Sequence, residues 1–408
     1  MLNYDGTVAY DLNPNNYKQK KDGTASDATN DAFGGNVMIG LPTVWVKVDT
    51  SVARKPKFYF SNLQLDGGFK AYAHHDDYGN IMPYTYLPAY NGWVDGSSRL
   101  RSISGKFPTA TQPGATQITE ARANNPTGFT GWDIEKLVDR QLINLLLIMI
   151  GKTTDTQTAF GRGNESGYSS PASGAGANGV LNTGTLDDKG LFYGYSASNL
   201  AVKVFGMENY WGNIWRRTMG LVLSSGTIYY KLTKDTSDGS YINQFDPSAI
   251  GDSAGVPAGW ISAGVISGGT DGGMVDVYVG DFGLLGKTTG GDYDSKYYDR
   301  LVLNNSGNYV ALFGGGSNYG ARCGAFACYL YNVLSYSYWN FGASPSCKHF
   351  TEKEFPGGYP GNLNHSSGLL MNFSNTPAFT AHANENAHNI IVSLMIVNHA
   401  ISSNEVIT

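Results

Sequence analysis

Apolar and polar residues alternate along most of this chain in short runs, and one long stretch follows helical spacing instead. The runs "VMIGLPTVWVKV" (37–48), "KFYFSNLQL" (57–65) and "YTYLPAY" (84–90) have the period-two character of strands. Strand-like text returns later as "KGLFYGYS", "NLAVKVFG", "GLVLSSGTIYYKLT", "GMVDVYVGDFGLL", "RLVLNN" and "NYVALFGGG". Within it, "VLSSGTIYYKL" predicts a hairpin turning at Ser224–Gly226.

The helical stretch is "GWDIEKLVDRQLINLLLIMIGK". Ile134, Leu137, Val138, Leu142, Leu145, Leu146 and Met149 recur at helical spacing, so a helix is expected over 132–150. Asp133 and Glu135 are expected in its first turn, where the helix dipole favours acids, and Gly151 with Lys152 marks its end. Such a helix is roughly 28 Å long. Its second half is apolar nearly all round and is expected to lie against a sheet. Many strands with one or two helices on one side make an α+β protein.

The first 36 residues are polar and are expected to form an arm or linker. Residues 161–179 are rich in Gly, Ser and Asn, the composition of a surface excursion. From residue 348 the chain changes character: five of the seven histidines lie beyond it, with an apolar run, "IIVSLMIV" (390–397), near the end. No fixed-period repeat is found.

Composition narrows the function classes. The formal net charge is −5 and the densest basic stretch is "KQKK" at 18–21, which argues against a nucleic-acid or polybasic membrane partner. The start reads as no secretory signal, and the longest apolar run, 142–150, falls short of a membrane span. Three cysteines (Cys323, Cys328 and Cys347) do not form a disulfide framework, and synthesis in a reducing cytoplasm is expected.

Residues capable of chemistry are scattered. "HANENAH" places His382, Glu385 and His388 three apart, whereas a zinc-binding helix needs histidines four apart. "AHHDD", with His74, His75, Asp76 and Asp77, reads as a solvated loop. Asp292, Asp294 and Asp299 lack the Gly and closing Glu of a calcium loop and are expected at the surface. The glycine runs precede no Lys-Ser/Thr, and no nucleophile elbow occurs, so no cofactor, metal site or catalytic residue is assigned.

The concentrated feature is "GARCGAFACYLYNVLSYSYWNFGASPSC" (320–347). In a strand Tyr329 and Tyr331 share a face, as do Tyr336 and Tyr338. Cys328, Leu330, Val333 and Leu334 are the better core candidates, which leaves the tyrosine row for binding: rings give contact area at low entropy cost, and hydroxyls give hydrogen bonds.

Several blocks resemble phage tail proteins that carry a C-type lectin-like domain. "FGMENYWGNIWRRTMGLV" is similar to their E-N-x-W-G-N-x-W block, and "GGGSNYGARCGAFACYLYNVLSYSYWNFGASPSC" resembles the end of that domain, which also occurs in the variable proteins of diversity-generating retroelements. "LRSISGK", "GATQITEARANN" and "DTQTAFGRGN" resemble further blocks in the same order. The matches cover most of 38–348. The resemblance implies a C-type lectin-like (formylglycine-generating-enzyme-like) domain over 38–348, an N-terminal arm or particle-attachment segment over 1–37 and a C-terminal extension over 349–408.

It also implies a non-enzymatic receptor-binding protein, made in the host bacterial cytoplasm and carried on the virion at a tail tip or fibre. A homotrimer is expected, in contact with other virion proteins and with a bacterial cell-surface protein or glycan. The recognition face is expected over 317–347, with Asn318, Tyr319, Arg322, Tyr329, Tyr331, Tyr336, Tyr338, Trp339 and Asn340 as ligand-binding residues. In the variable relatives asparagine codons there are rewritten, and Asn to Tyr, Ser or Asp is a single-base step. The sugar-binding strings Glu-Pro-Asn, Gln-Pro-Asp and Trp-Asn-Asp do not occur. Two other readings stay open: a structural tail or capsid-decorating protein, and a formylglycine-generating-type oxidase using Cys323 and Cys328, which have the five-residue spacing of that family.

Overall fold

The computed structural model describes residues 1–348 except 53–54, 66–67, 77–79, 168–178, 233–255, 257–259, 294–296 and 298. The 349–408 extension, with His382, Glu385, His388 and the 390–397 run, lies outside the described residues, as do Asp77, Asp294 and most of the 161–179 stretch.

The protein is mostly β-sheet with few helices. A ten-stranded sheet runs in the order Ile261–Val265, Thr227–Tyr230, Trp215–Ser224, Asn308–Phe313, Cys328–Leu330, Arg300–Leu303, Asp271–Gly280, Gly283–Gly291 and Ser267–Gly268, and Phe341–Gly342 pairs with Trp215–Ser224 in parallel. A four-stranded antiparallel sheet joins Trp132–Ile134, Pro345–Cys347, Tyr84–Pro88 and Met38–Pro42. The expected hairpin forms: Ser224 pairs with Thr227, and Ser225 (φ 46°) and Gly226 (φ 75°) hold the left-handed pair that a two-residue turn of this hand requires.

Three helices are described: α1 (Gly114–Arg122), α2 (Leu137–Gly151) and α3 (Thr156–Phe160). α2 lies against the large sheet, its leucines packed with Leu221, Ile228, Leu284, Leu301 and Phe313 in the main core. Its polar residues are tie points rather than surface. Asn144 donates to the Ala325 carbonyl at 3.1 Å and accepts from the Tyr210 hydroxyl at 3.0 Å, while Gln141 accepts from the Leu284 amide at 2.9 Å.

The helix starts later than its apolar spacing predicts. Residues Trp132–Ile134 pair as a strand with Pro345–Cys347, and ladder hydrogen bonds displace the first helical turn. Asp133 and Glu135 therefore do not face a helix dipole; they meet Arg122 and Arg216 at 3.0 and 3.3 Å. The acid at the helix start is Asp139, which accepts from the Lys136 amide at 3.1 Å and pairs with buried Lys348 at 2.5 Å.

The first 36 residues are not a free arm. Leu2–Asn3 pairs with Gly35–Asn36, Leu12–Asn13 pairs with Asn16–Lys20, and Met1, Tyr17, Ala28 and Val37 pack on Ala89 and Tyr90. The Tyr17 hydroxyl donates to the Gly206 carbonyl at 3.1 Å, and the Trp132 indole donates to the Tyr4 carbonyl at 2.7 Å. The segment has few apolar residues, but these sit at the points of contact.

Two further expectations are corrected. His74 is fully buried in the turn Tyr72–His74, where its Nε2 accepts from the Val44 amide at 3.2 Å and burial pulls its pKa well down; it is a neutral core histidine, not part of a solvated loop. Asp299 is also buried: its carboxylate accepts from the Phe326 amide at 2.6 Å.

Candidate functional site

The "ENYWGNIW" block forms the floor of the site. All of residues 208–215 are buried. Asn213, held at φ 64°, accepts from the Leu181 amide and from Asn164, each at 2.8 Å, and donates to Asn91 at 3.0 Å, so its amide replaces a missing ladder. Glu208 accepts from the Leu186 amide at 2.9 Å, and burial pushes its pKa up to about 7. Trp215 lies under the aromatic face, with its ring 5.2 Å from Tyr319 and 5.5 Å from Tyr329.

Above this floor, Cys328–Leu330 runs between Asn308–Phe313 and Arg300–Leu303. Strand alternation turns Cys328 and Leu330 into the core and leaves Tyr329 half-buried on the other side. The chain then leaves the sheet, and 331–340 forms no strand. Its backbone is tied down at several points: the Val310 amide donates to Asn332 O at 3.1 Å, Gly114 to Leu334 O at 2.8 Å and Thr111 to Tyr338 O at 2.9 Å. Arg217 Nη2 adds a bond to Tyr336 O at 3.0 Å. Leu334 seals the underside, so close to Gly114 that a Cβ there would lie 2.4 Å from it.

With the main chain tied inward at these points, the tyrosines turn outward, while Leu334 and Asn340 stay buried. Tyr331, Tyr336 and Tyr338 are each 43% exposed. Tyr336 and Tyr338 are stacked 6.3 Å apart, and Tyr331 stacks on Tyr309 at 6.3 Å. The buried Phe341 ring is the hub: Tyr329, Tyr336 and Tyr338 surround it at 6.0, 6.0 and 5.8 Å. Trp339 extends the cluster beside Tyr338, and the Arg300 guanidinium, paired with Asp271 at 2.8 and 2.5 Å, lies 4.8 Å from the Tyr319 ring.

The residues expected at the face divide accordingly. Tyr331, Tyr336 and Tyr338 are outward, Trp339 is partly so, and Asn318 and Arg322 are exposed, with Arg322 over the Tyr293 ring. Tyr319 and Tyr329 are half-buried supports, and burial raises the Tyr329 hydroxyl pKa to about 12. Asn340 is not at the surface. It is fully buried, donates to Asn318 at 3.1 Å and lends its carbonyl to the Trp215 amide at 2.8 Å. Tyr309, Phe341 and Arg300 belong to the cluster and were not expected. Phe341 sits in the quoted stretch, but nothing local marks it as a hub; Tyr309 and Arg300 come from separate strands.

The two cysteines of the oxidase reading are poorly placed to ionise. Cys323 is buried with its thiol donating to the Gly316 carbonyl at 3.3 Å, and burial, then the charges of Glu165 and Asp299, push its pKa well up. Cys328 faces the main core, and burial pushes its pKa to about 12. A metal-binding or nucleophilic pair needs thiolates. Among the described residues no three His, Cys, Asp or Glu are grouped to hold a metal ion, and no helix is long and apolar enough to cross a membrane.

The face therefore offers ring edges, hydroxyl groups and little charge on a backbone bonded inward at several points. No protein-family model matches the chain, and no curated protein matches it.

Proposed function

We propose that the protein is a receptor-binding protein of a phage or phage-like tail tip, and that it adheres to a bacterial surface ligand through Tyr331, Tyr336, Tyr338 and Trp339. The observation that carries this reading is the exposure of three tyrosines on a loop whose backbone is bonded inward at several points. Contact residues that are already ordered lose little entropy on binding, and tyrosine supplies area and a hydrogen bond from one side chain. Asn318 and Arg322 add polar contacts at the rim.

In this reading the body is a C-type lectin-like domain. Support comes from the buried 208–215 block under the loops and from the pairing of Trp132–Ile134 with Pro345–Cys347 behind them. The protein acts as a trimer on the virion, beside other tail proteins. Weak single sites then gain avidity through effective concentration.

Binding of purified protein to whole bacterial cells tests the proposal. The comparison is wild type against a Tyr331/Tyr336/Tyr338→Ala variant, with melting curves and light-scattering masses measured on both. The variant is expected to keep its melting temperature and mass and to lose cell binding. A folded variant that binds as well as wild type overturns the proposal. A variant whose mass falls identifies the tyrosines as a contact between copies and favours the structural tail protein instead.

A further inference from the structure

A second concave site is lined by residues that the tyrosine face does not use. Tyr4 and residues 31–34 form one wall and parts of 93–99 the other, and the cleft between them encloses about 400 Å³. One buried side chain joins the walls. Arg101 donates to the carbonyls of Asp31 and Phe33 at 3.2 and 2.7 Å, and to the Asp95 carboxylate at 3.0 Å. The other Asp95 oxygen accepts from the amides of Ser97 and Arg99 at 2.8 and 3.0 Å and fixes the rim loop. The cleft is formed before any ligand arrives, so binding does not have to order it.

Its charges pair off and leave one over. Lys106 meets Asp31 at 2.7 Å, and Arg101 meets Asp95 at 3.0 Å. Arg99 comes no closer than 4.0 Å to the same Asp95 oxygen, and its side chain is 36% exposed. The ring faces are already covered by cations: Arg99 and Arg101 lie 4.9 and 5.2 Å from the centre of the Tyr4 ring, and Lys106 lies 4.5 Å from that of Trp93. Stacking holds the Arg99 guanidinium by its face and leaves N–H groups at its edge for another partner. A planar fork with one unmatched positive charge suits a carboxylate, which it can hold through two parallel hydrogen bonds. A dianion such as a phosphate monoester would bring a second negative charge toward Asp31 and Asp95. Gly34 and Gly96, one on each wall, leave room for the rest of the ligand. We propose that this cleft binds a monoanionic carboxylate through Arg99, supplied by a small free acid or by the carboxyl end of a short peptide.

Saturation-transfer NMR on the full chain tests this with propionate, N-acetyl-alanyl-alanine, the C-terminal amide of that dipeptide, and ethyl phosphate, each titrated at millimolar concentration. At least one of the two carboxylates is expected to show saturable transfer. The amide is expected to bind about tenfold more weakly than its parent acid, or less, a change of about 1.4 kcal/mol. Binding of the dipeptide acid alone assigns a peptide end; propionate binding as tightly assigns a small free acid. Arg99→Gln is expected to weaken the carboxylate about tenfold or more and to keep the wild-type melting temperature, because Arg101 and not Arg99 joins the walls. Gly96→Glu is the second variant: a Cβ at Gly96 meets nothing within 4 Å, so the added carboxylate competes for Arg99 without disturbing the fold. The Tyr331/Tyr336/Tyr338→Ala variant is expected to bind the carboxylate as wild type does, so this inference and the proposed receptor face fail separately. No transfer from either carboxylate, equal binding of the amide, tighter binding of ethyl phosphate, or undiminished binding in either folded cleft variant overturns the proposal.

Discussion

Residues 208–215 and 329–341 are built from nearly the same alphabet of Tyr, Trp, Asn and Phe or Ile, yet one segment is wholly interior and the other displays its rings. The difference lies in what the side chains do. In the interior block they tie other segments together: Asn213 bonds the Leu181 backbone, the Tyr210 hydroxyl bonds Asn144, and the Trp211 indole donates to the Gly161 carbonyl at 3.2 Å. Polar side chains so employed must be inside. In the outer segment the backbone bonds to α1, to Arg217 and to the neighbouring strand, and the exposed tyrosines rest on other rings, Tyr336 and Tyr338 on Phe341 and Tyr331 on Tyr309. Aromatic composition alone does not separate a core from a contact surface; the partners of the side chains do.

Breaking the interior block should have the largest effect. Trp211→Ala removes a fully buried ring from the main core and is expected to cost about 3–5 kcal/mol in chemical denaturation. A loss below about 1 kcal/mol would mean that Trp211 contributes little to the core beneath the site.

The next effect is pH-dependent and belongs to Glu208. Burial raises its folded pKa to about 7 from 4.5, so its contribution is fully present below about pH 4.5 and lost as pH rises through about 7. The wild type is expected to lose about 3 kcal/mol from this group across that window, and Glu208→Gln to flatten the loss. Lys203 acts with the opposite sign. Burial lowers its pKa to about 8 from 10.5, so its contribution is lost as pH falls through about 8 and returns toward 10.5. Melting curves between pH 5 and pH 7 therefore read Glu208; parallel curves for wild type and variant would refute the assignment.

The smallest stability effect is expected at the display segment. Single Tyr331→Ala, Tyr336→Ala and Tyr338→Ala changes should each shift stability by no more than about 1 kcal/mol. Cell binding by the wild type should also change little between low and physiological salt, since the face carries few charges; steep salt dependence would point to another contact surface.

Local pattern was sufficient where local forces decide. The apolar spacing over 132–150 marked α2 from Leu137 on, the Ser-Gly pair marked the hairpin, and strand alternation placed Cys328 and Leu330 inside with Tyr329 half-buried on the other side. It was insufficient where a distant partner wins. Asp133 and Glu135 look like helix-start acids, but the strand 345–347 captures their segment. Asn340 looks like a surface amide, but Trp215 takes its carbonyl and Asn318 its side chain.

By itself, the sequence determined a strand-rich protein with one buried helix and an unusual concentration of tyrosine before its end, because periodicity and composition are properties of neighbouring residues. Only the tertiary structure decided which rings reach water, that the first 36 residues join the body, and that Arg101 holds open a cleft between segments about 60 residues apart. Those outcomes depend on backbone groups finding partners far along the chain, and a hydrogen bond between distant segments leaves no period in the residues that make it.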